Sequence, residues 1–216
     1  MIITDITQQV KNKKRYSVFV DGEFAFGIDG VDLLRHGLEI GQTLEKERYI
    51  ELLKQLEYTK CRDTAIRILA SGAKSVYVMR EKLAQKEYSP AAINAIIELL
   101  LEKGYLDDVA YAKGFISHKS RINNYGRRRI EQELQQKGVS DGDIEAAFVD
   151  LGDDGDNDLE AARHTLDKKL RNKPFPQDAR ELHKLKMFMA QRGFDFETID
   201  RVFAEIACCD LAENVL

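Results

Sequence analysis

The ten-residue pattern REKLAQKEYS (residues 80–89) decides the fold, because it returns as EQELQQKGVS (residues 131–140) and KMFMAQRGFD (residues 186–195). Each copy has an apolar residue at its fourth position, another five positions later, and then Ser or Asp. Ser and Asp are preferred at helix N-caps, and the apolar positions are typical of a buried helix face. The pattern therefore indicates that one helix ends and another begins, three times along the chain.

The similarity extends beyond these stretches in both directions. Downstream, one apolar position holds isoleucine in all three copies, at Ile93, Ile144 and Ile199. Gly138 and Gly193 precede the cap in two copies, and glycine readily adopts the left-handed conformation that ends a helix. A further amphipathic segment precedes each pair of helices, at residues 65–70, 109–116 and 159–170. The chain is therefore predicted to contain about nine helices in three tandem three-helix units.

Glycines also mark the ends of the first two units. Gly104 and Gly152 follow the last apolar helical positions, which places unit boundaries near residues 105 and 153. The predicted segments are an N-terminal β-hairpin with a helix (residues 1–58) and three-helix repeats over residues 59–105, 106–152 and 153–216. The acidic run at residues 150–158 is interpreted as a solvated linker, because it lacks the oxygen ligands of a calcium loop.

The N-terminal segment has the pattern of a β-hairpin. Asp21 and Gly22 tolerate the positive φ angles of a two-residue turn between the strands at residues 15–20 and 23–27. This register places Phe19 opposite Phe24. Residues 2–10 are a candidate third strand, and the spacing of apolar residues becomes helical from about Leu44 onward.

Composition limits the class of protein. Of the 216 residues, 44% are hydrophobic and 32% are charged, with no Trp and only three Pro, which favours a helical protein with modest cores. No leader peptide or apolar run long enough to span a membrane is recognised. Cys61, Cys208 and Cys209 show neither a disulfide framework nor zinc-ligand spacing. We therefore expect a cytoplasmic protein.

Charge is distributed unevenly, although the net charge is only −4. Residues 109–130 contain six Lys or Arg and no acid, whereas residues 138–162 contain nine Asp or Glu and no Lys or Arg. Blocks of this kind usually mark surfaces that meet a charged partner. Two weaker basic clusters lie at residues 11–15 and 168–173.

The basic block is the candidate binding surface. In the repeat alignment its three consecutive arginines occupy positions that hold Val, Tyr and Val in unit one, so the unit fold does not require them. Helical spacing places Arg127 beside the buried face, where it can pair with an acid, and directs Arg128 and Arg129 away from that face. We expect the surface to bind phosphates or an acidic protein groove, with a merely solvated basic face as the alternative. Its predicted members are Lys119, Arg121, Tyr125, Arg127, Arg128 and Arg129.

Motifs of enzyme chemistry were not recognised. The sequence has no phosphate-binding glycine loop, dinucleotide fingerprint, His-Glu-x-x-His motif or Gly-x-Ser-x-Gly elbow, and its four histidines lack ligand spacing. We accordingly predict no catalytic residue, no metal site and no cofactor.

Several motifs of unit two resemble a known family. GYLDDVAYA (residues 104–112), Tyr125-Gly126, Arg129-Ile130 and ELQQKG (residues 133–138) are similar in order and spacing to the signature of the RecX family, regulators of the RecA recombinase. The resemblance implies a mainly helical protein with three tandem three-helix repeats in an elongated, curved array. One departure is residues 70–75 of unit one, which are usually rich in basic residues and here contain only Lys74.

The resemblance also implies a function. Family members lodge in the groove of the RecA–DNA filament and restrain its strand exchange, ATP hydrolysis and co-protease activities, and some members contact DNA. The expected partner is therefore the RecA filament, in recombination and DNA repair, with DNA as a further candidate and a monomer as the expected state. The alternative is a stand-alone nucleic-acid-binding helical module, for which the same basic block would be the footprint.

Overall fold

The computed structural model describes residues 1–152, 156–171 and 173–213, and within these it describes all side chains except those of residues 156, 157 and 207–213. The middle of the predicted acidic linker, Asp153 to Gly155, therefore lies outside the described residues, as do the side chains of Cys208 and Cys209.

The N-terminal segment forms a three-stranded antiparallel sheet. Its strands are β1 (Ile3–Gln8), β2 (Arg15–Val20) and β3 (Glu23–Asp29), in that order across the sheet. Asp21 and Gly22 have φ angles of 50° and 86°, as a two-residue hairpin turn requires. Phe19 pairs with Phe24, and their ring centroids are 5.9 Å apart. The predicted hairpin, its register and the third strand are confirmed.

Two helices connect the sheet to the repeats. The short helix α1 (Gly30–Arg35) begins at Asp29, whose carboxylate accepts a hydrogen bond from the Val31 N–H. The long helix α2 (Lys46–Ala70) buries Leu52 and Leu56 against the sheet and then Cys61 and Ala65 in the next core. One continuous helix thus contributes side chains to two hydrophobic cores. Residue 58, the predicted end of the N-terminal segment, lies inside this helix.

The remaining helices, together with the C-terminal part of α2, form three groups of three helices among the described residues. Each group has its own buried hydrophobic core, and a fourth core lies between the sheet and α2. The predicted class, a mainly helical protein of three three-helix units behind a small β region, is confirmed. The helices are α3 (Val76–Ala84), α4 (Pro90–Glu102), α5 (Asp108–Arg121), α6 (Arg127–Gln135), α7 (Asp141–Asp150), α8 (Asp156–Leu170), α9 (Ala179–Gln191) and α10 (Phe196–Glu213).

Local hydrogen bonds explain why the ten-residue pattern recurs. Ser89 and Ser140 accept a hydrogen bond from the backbone N–H three residues later, and Asp195 does the same, so each caps the third helix of its unit. The residue two positions earlier is left-handed in every unit, with φ angles of 73° at Gly138 and 95° at Gly193. Unit one has Glu87 in this place, with a φ of 61°.

Adjacent units are joined through the N-terminus of the second helix. Between units one and two, the Ser75 hydroxyl donates to the Lys137 carbonyl at 2.6 Å, and the Val76 N–H donates to the Asp108 carboxylate at 2.8 Å. These contacts satisfy backbone groups at the end of α6 and the start of α3. Asp108 of α5, the first helix of unit two, therefore caps α3, the second helix of unit one.

The junction between units two and three repeats this arrangement. The Gly126 N–H donates to the Arg192 carbonyl at 2.9 Å, and the Arg127 N–H donates to the Asp158 carboxylate at 3.1 Å. Asp158 lies near the start of α8, as Asp108 lies at the start of α5. Both junctions therefore share an Asp cap from the following unit on the second helix of the preceding one.

Membrane spans and clusters of metal ligands are both absent from the described residues. No helix among them combines the length and the apolar character of a membrane span. No group of three or more His, Cys, Asp or Glu side chains in the same residues is placed to hold a metal ion.

Candidate partner-binding surface

The predicted basic surface lies at the junction between units two and three. Its residues occupy the last turn of α5, the connecting loop at residues 122–126 and the first turn of α6. The backbone of this segment is fixed by the contacts of Gly126 and Arg127 with unit three. Side chains here are therefore presented from a rigid junction rather than from a free loop.

Arg127 is held inside unit two. Its guanidinium forms ion pairs with Glu131, at 2.7 Å, and with Glu145, and it lies 4.3 Å from the centroid of the Phe148 ring. Partial burial disfavours the charged form, but the two carboxylates outweigh it and raise the pKa of Arg127 above its ordinary value. The prediction that Arg127 pairs with an acid beside the core is confirmed.

Lys119 and Arg129 share one carboxylate, that of Glu133. The distances are 2.6 Å from the Lys119 ammonium and 3.3 Å from the Arg129 guanidinium. Burial opposes ionisation of Glu133, but the hydrogen bonds from these two cations prevail and hold its pKa below the ordinary value. Both cations are therefore paired within the protein, although one carboxylate balances only one of the two charges.

Arg129 packs against a surface other than the core of unit two. Helical spacing located Arg129 correctly with respect to the core of unit two, but a second surface covers the N-terminus of α6. That surface is the end of α9, where the Arg129 backbone and Cβ lie against Gly193. Arg129 consequently packs in the junction, half-buried, and its Nη1 donates a long hydrogen bond of 3.5 Å to the Gln191 carbonyl.

Tyr125 is surrounded by cations. The distances from its ring centroid are 3.8 Å to the Arg129 guanidinium, 5.3 Å to the Lys119 ammonium and 5.6 Å to the Arg192 guanidinium. Cations at such distances are attracted to the electron-rich ring face. Tyr125 therefore helps to hold the junction together, because its ring already contacts three cations of the protein.

Arg192 was missed in the sequence-based prediction of the surface. It reaches Tyr125 from unit three, and its Nη1 donates to the Asn123 carbonyl at 3.4 Å. A signal for it exists, because the seventh position of the ten-residue pattern is basic in all three copies, as Lys86, Lys137 and Arg192. Only the structure brings that position of unit three to the loop of unit two.

Arg121 and Arg128 differ from the other predicted cations. Both side chains are exposed, and among the described residues neither forms an ion pair. The backbone N–H of Arg128 donates to the Gly193 carbonyl at 3.2 Å, so its Cα is fixed while its guanidinium remains accessible. Arg121 lines a cleft of about 370 Å³ between α5 and α8.

The basic block is thus two kinds of surface rather than one. Lys119, Arg127 and Arg129 form an internal network with three acidic side chains of α6 and α7. Arg121 and Arg128 are the predicted cations that remain available to an external phosphate or carboxylate. Of the five predicted cations, Arg121 and Arg128 are the two that form no ion pair with a described residue.

Tandem three-helix units joined by contacts between neighbouring units define a helical-repeat protein. Four family models match the chain in order. The chain belongs to the RecX family. The matches are the N-terminal domain of regulatory protein RecX at residues 1–45, and the first, second and third three-helix domains of RecX at residues 61–100, 107–147 and 156–203.

Curated relatives agree with this assignment. The regulatory protein RecX of Clostridium botulinum (strain Alaska E43 / Type E3) is 31% identical over 205 residues, which are 94% of this chain and 95% of the relative. The regulatory protein RecX of Caldanaerobacter subterraneus subsp. tengcongensis is 31% identical over 201 residues, which are 93% of this chain and 98% of the relative. The relatives are thus similar over nearly their whole length.

Solved structures share the fold. A crystal structure of regulatory protein RecX superimposes with a TM-score of 0.67 at 22% identity, covering 93% of this chain and 98% of the other. A crystal structure of RecX from Lactobacillus salivarius gives a TM-score of 0.64 at 20% identity, covering 70% of this chain and 97% of the other. The family resemblance expected from the motifs of unit two is confirmed.

Proposed function

We propose that this protein regulates the RecA recombinase by binding in the groove of the RecA–DNA filament and restraining its activity in recombination and DNA repair. Membership of a family whose curated relatives are called regulatory proteins supports the regulatory role. The observation that carries the proposed site is the exposure of Arg121 and Arg128 beside a junction in which the neighbouring cations are paired with carboxylates.

The architecture suits a repetitive partner. At both junctions an Asp near the start of the following unit caps the second helix of the preceding unit, so the units follow one another in a regular series. In this proposal the repeats at residues 59–105, 106–152 and 153–216 extend the contact along the filament groove, and residues 1–58 form a separate N-terminal segment. The protein acts in the cytoplasm, as a monomer and without a cofactor.

The proposed contact is electrostatic and specific to two positions. A guanidinium can pair with a carboxylate or phosphate through two parallel hydrogen bonds, and charge reversal at such a contact replaces attraction by repulsion. Arg129 is unsuitable for the test, because its replacement would also leave Glu133 with one partner fewer. Arg121 and Arg128 can be changed without breaking an ion pair of the described residues.

The test is inhibition of DNA-dependent ATP hydrolysis by RecA. We expect Arg128→Glu and Arg121→Glu each to raise the concentration for half-inhibition about tenfold, as loss of an important interface contact does. The matched control is Arg48→Glu, which reverses an exposed arginine on α2 and should leave inhibition unchanged. Unchanged inhibition by both junction variants, with thermal unfolding like that of the wild type, would remove these residues from the interface.

A further inference from the structure

A cleft between units two and three has the size of a small-molecule site. It lies between the C-terminal half of α5 and the first turns of α8, and the α5–α6 loop also lines it. Its volume of about 370 Å³ falls in the lower part of the range for ligand pockets. Buried side chains of Ile116, Ile130, Phe148 and Ala161 form its apolar lining. The cleft therefore suits a small molecule with an apolar part.

Asn124 places an unpaired amide at the wall of this cleft. Only 8% of its surface is exposed, and its side chain forms no hydrogen bond with a described residue. Its backbone carbonyl, by contrast, accepts a hydrogen bond from the Thr165 hydroxyl at 3.1 Å. Buried polar groups are hydrogen-bonded in nearly all cases, so a carboxamide without a partner marks a place where a ligand can supply one.

The polar character of the cleft is not a requirement of the repeat. Ser117, Ser120 and Asn124 line it, and the aligned positions of unit one hold Ile66, Leu69 and Ala73. Ala161 aligns with Tyr111 of unit two, whose larger ring is partly buried against the core of that unit. Nor does the left-handed φ of 51° at Asn124 require asparagine, because glycine adopts it at lower cost.

Two opposite charges line the cleft without pairing with each other. Arg121 comes from the last turn of α5, and Glu160 comes from the start of α8. Both side chains are exposed, and neither forms an ion pair with any described residue. A further lining carboxylate, that of Asp158, already accepts a hydrogen bond from the Arg127 N–H. The cleft therefore offers one cation and one anion to the same bound molecule.

We infer that this cleft binds a free α-amino acid with an apolar side chain. The carboxylate of such a molecule pairs with Arg121, and its ammonium pairs with Glu160. Asn124 donates a further hydrogen bond to the bound carboxylate, and the apolar side chain contacts the lining around Phe148. An anion without an ammonium would leave Glu160 unpaired. Because the two walls belong to different units, the bound molecule also stabilises their junction.

The inference does not depend on the proposed contact with RecA. Arg121 takes part in both proposals, so the test uses variants of other residues and contains neither RecA nor DNA. The measurement is isothermal titration calorimetry on the full chain. The probes are L-leucine and L-phenylalanine, whose apolar side chains differ in shape. N-acetyl-L-leucine, which lacks the ammonium, and L-leucinamide, which lacks the carboxylate, serve as comparison compounds.

We expect the wild type to bind L-leucine or L-phenylalanine. The two comparison compounds should bind about tenfold more weakly than L-leucine, because each loses one charge-assisted contact. Glu160→Gln should weaken binding of the amino acid by about the same factor. Asn124→Gly removes the carboxamide, keeps the left-handed backbone and should weaken binding by about threefold to tenfold.

Ala161→Tyr introduces the side chain that unit two has at the aligned position and should abolish binding by filling the cleft. The matched control is Asp167→Asn, which neutralises an exposed acid of α8 that does not line the cleft and forms no ion pair with a described residue. It should bind as the wild type does. Far-ultraviolet circular dichroism and thermal unfolding establish that the variants are folded.

Four results would overturn the inference. These are a wild type that binds neither amino acid, comparison compounds that bind as tightly as L-leucine, unchanged affinity of Glu160→Gln, and an equal loss in Asp167→Asn. Because Glu160→Gln changes an exposed side chain without an ion pair to a described residue, we expect it to fold even if Ala161→Tyr does not.

Discussion

Gly126 and Gly193 pack backbone against backbone across the junction between units two and three. A Cβ atom on Gly126 would lie 2.5 Å from the carbonyl carbon of Gly193, which is closer than Cβ atoms come to the heavy atoms of other residues. Gly126 has an ordinary φ of −73°, so its glycine is required by the close contact rather than by its own conformation. This contact positions α6 on unit three, and with it the arginines at the start of α6.

Alanine at position 126 should therefore weaken the junction. We expect Gly126→Ala to lower the free energy of unfolding by about 1–3 kcal/mol, the usual range for overpacking. Urea denaturation measures the change. Gly142→Ala is the control, because a Cβ there meets only the Ser140 hydroxyl, at 3.8 Å, and alanine favours the helix. If Gly126→Ala and the wild type had the same free energy of unfolding, the close contact between Gly126 and Gly193 would not be needed for stability.

At Glu87, by contrast, introducing a glycine should stabilise the protein. It adopts a left-handed conformation, with a φ of 61°, at the position that holds glycine in units two and three. Because an L-residue is strained there, Glu87→Gly should stabilise the protein by about 1 kcal/mol in thermal or urea unfolding. Gln85→Gly, at a right-handed C-cap with a φ of −61°, should instead destabilise it. A destabilised Glu87→Gly variant would contradict this explanation.

Asp108 caps α3 from the neighbouring unit while it is partly buried. Burial raises the pKa of its carboxyl, and the hydrogen bond from the Val76 N–H opposes this only in part. Asp108→Ala removes the acceptor and should cost about 1 kcal/mol of unfolding free energy. Asp108→Asn keeps an acceptor and removes the charge, so at neutral pH it should be close to the wild type. Equal destabilisation by both changes would show that the charge itself is required.

Stability should depend on pH through Glu133. The pKa of Glu133 is lowered in the folded protein, so its ionised form binds Lys119 and Arg129 more strongly than it does in the unfolded chain. This contribution is fully present above the ordinary glutamate pKa of about 4.3 and is lost as the pH falls through the lower folded value. The stability difference between the wild type and Glu133→Gln should therefore shrink below about pH 4.

Urea unfolding over a pH series measures this difference. Glu81→Gln, which replaces an exposed carboxylate that forms no ion pair with a described residue, serves as the control and should show little difference at any pH. A difference for Glu133→Gln that stays constant between pH 7 and about pH 3 would contradict the assignment of the network to Glu133.

Local signals in the sequence were sufficient for most of the fold. The caps at Ser89, Ser140 and Asp195 act within a few residues, as does the Asp21–Gly22 turn, and each has a specific hydrogen bond or φ requirement. The short helix α1 was missed, because six residues are too few to establish a helical period. Nor does any local signal in the sequence show that α2 continues through two cores.

The site was only partly predictable, because its decisive contacts join distant parts of the chain. Arg127 could be assigned an acidic partner from its place on α6 alone, whereas Arg129 required knowledge of where Gly193 packs. The cleft between α5 and α8 is a similar case. Asn124 and Glu160 lie in different units, and only the packing of unit three on unit two brings them together.

The most direct measurement for the central claim is co-sedimentation with preformed RecA filaments, compared with the same DNA without RecA. We predict that the wild-type protein pellets with the filaments well above its level on bare DNA, and that Arg121→Glu combined with Arg128→Glu leaves most of it in the supernatant. A wild-type protein that pellets no more with filaments than with bare DNA would contradict the proposal of a filament regulator.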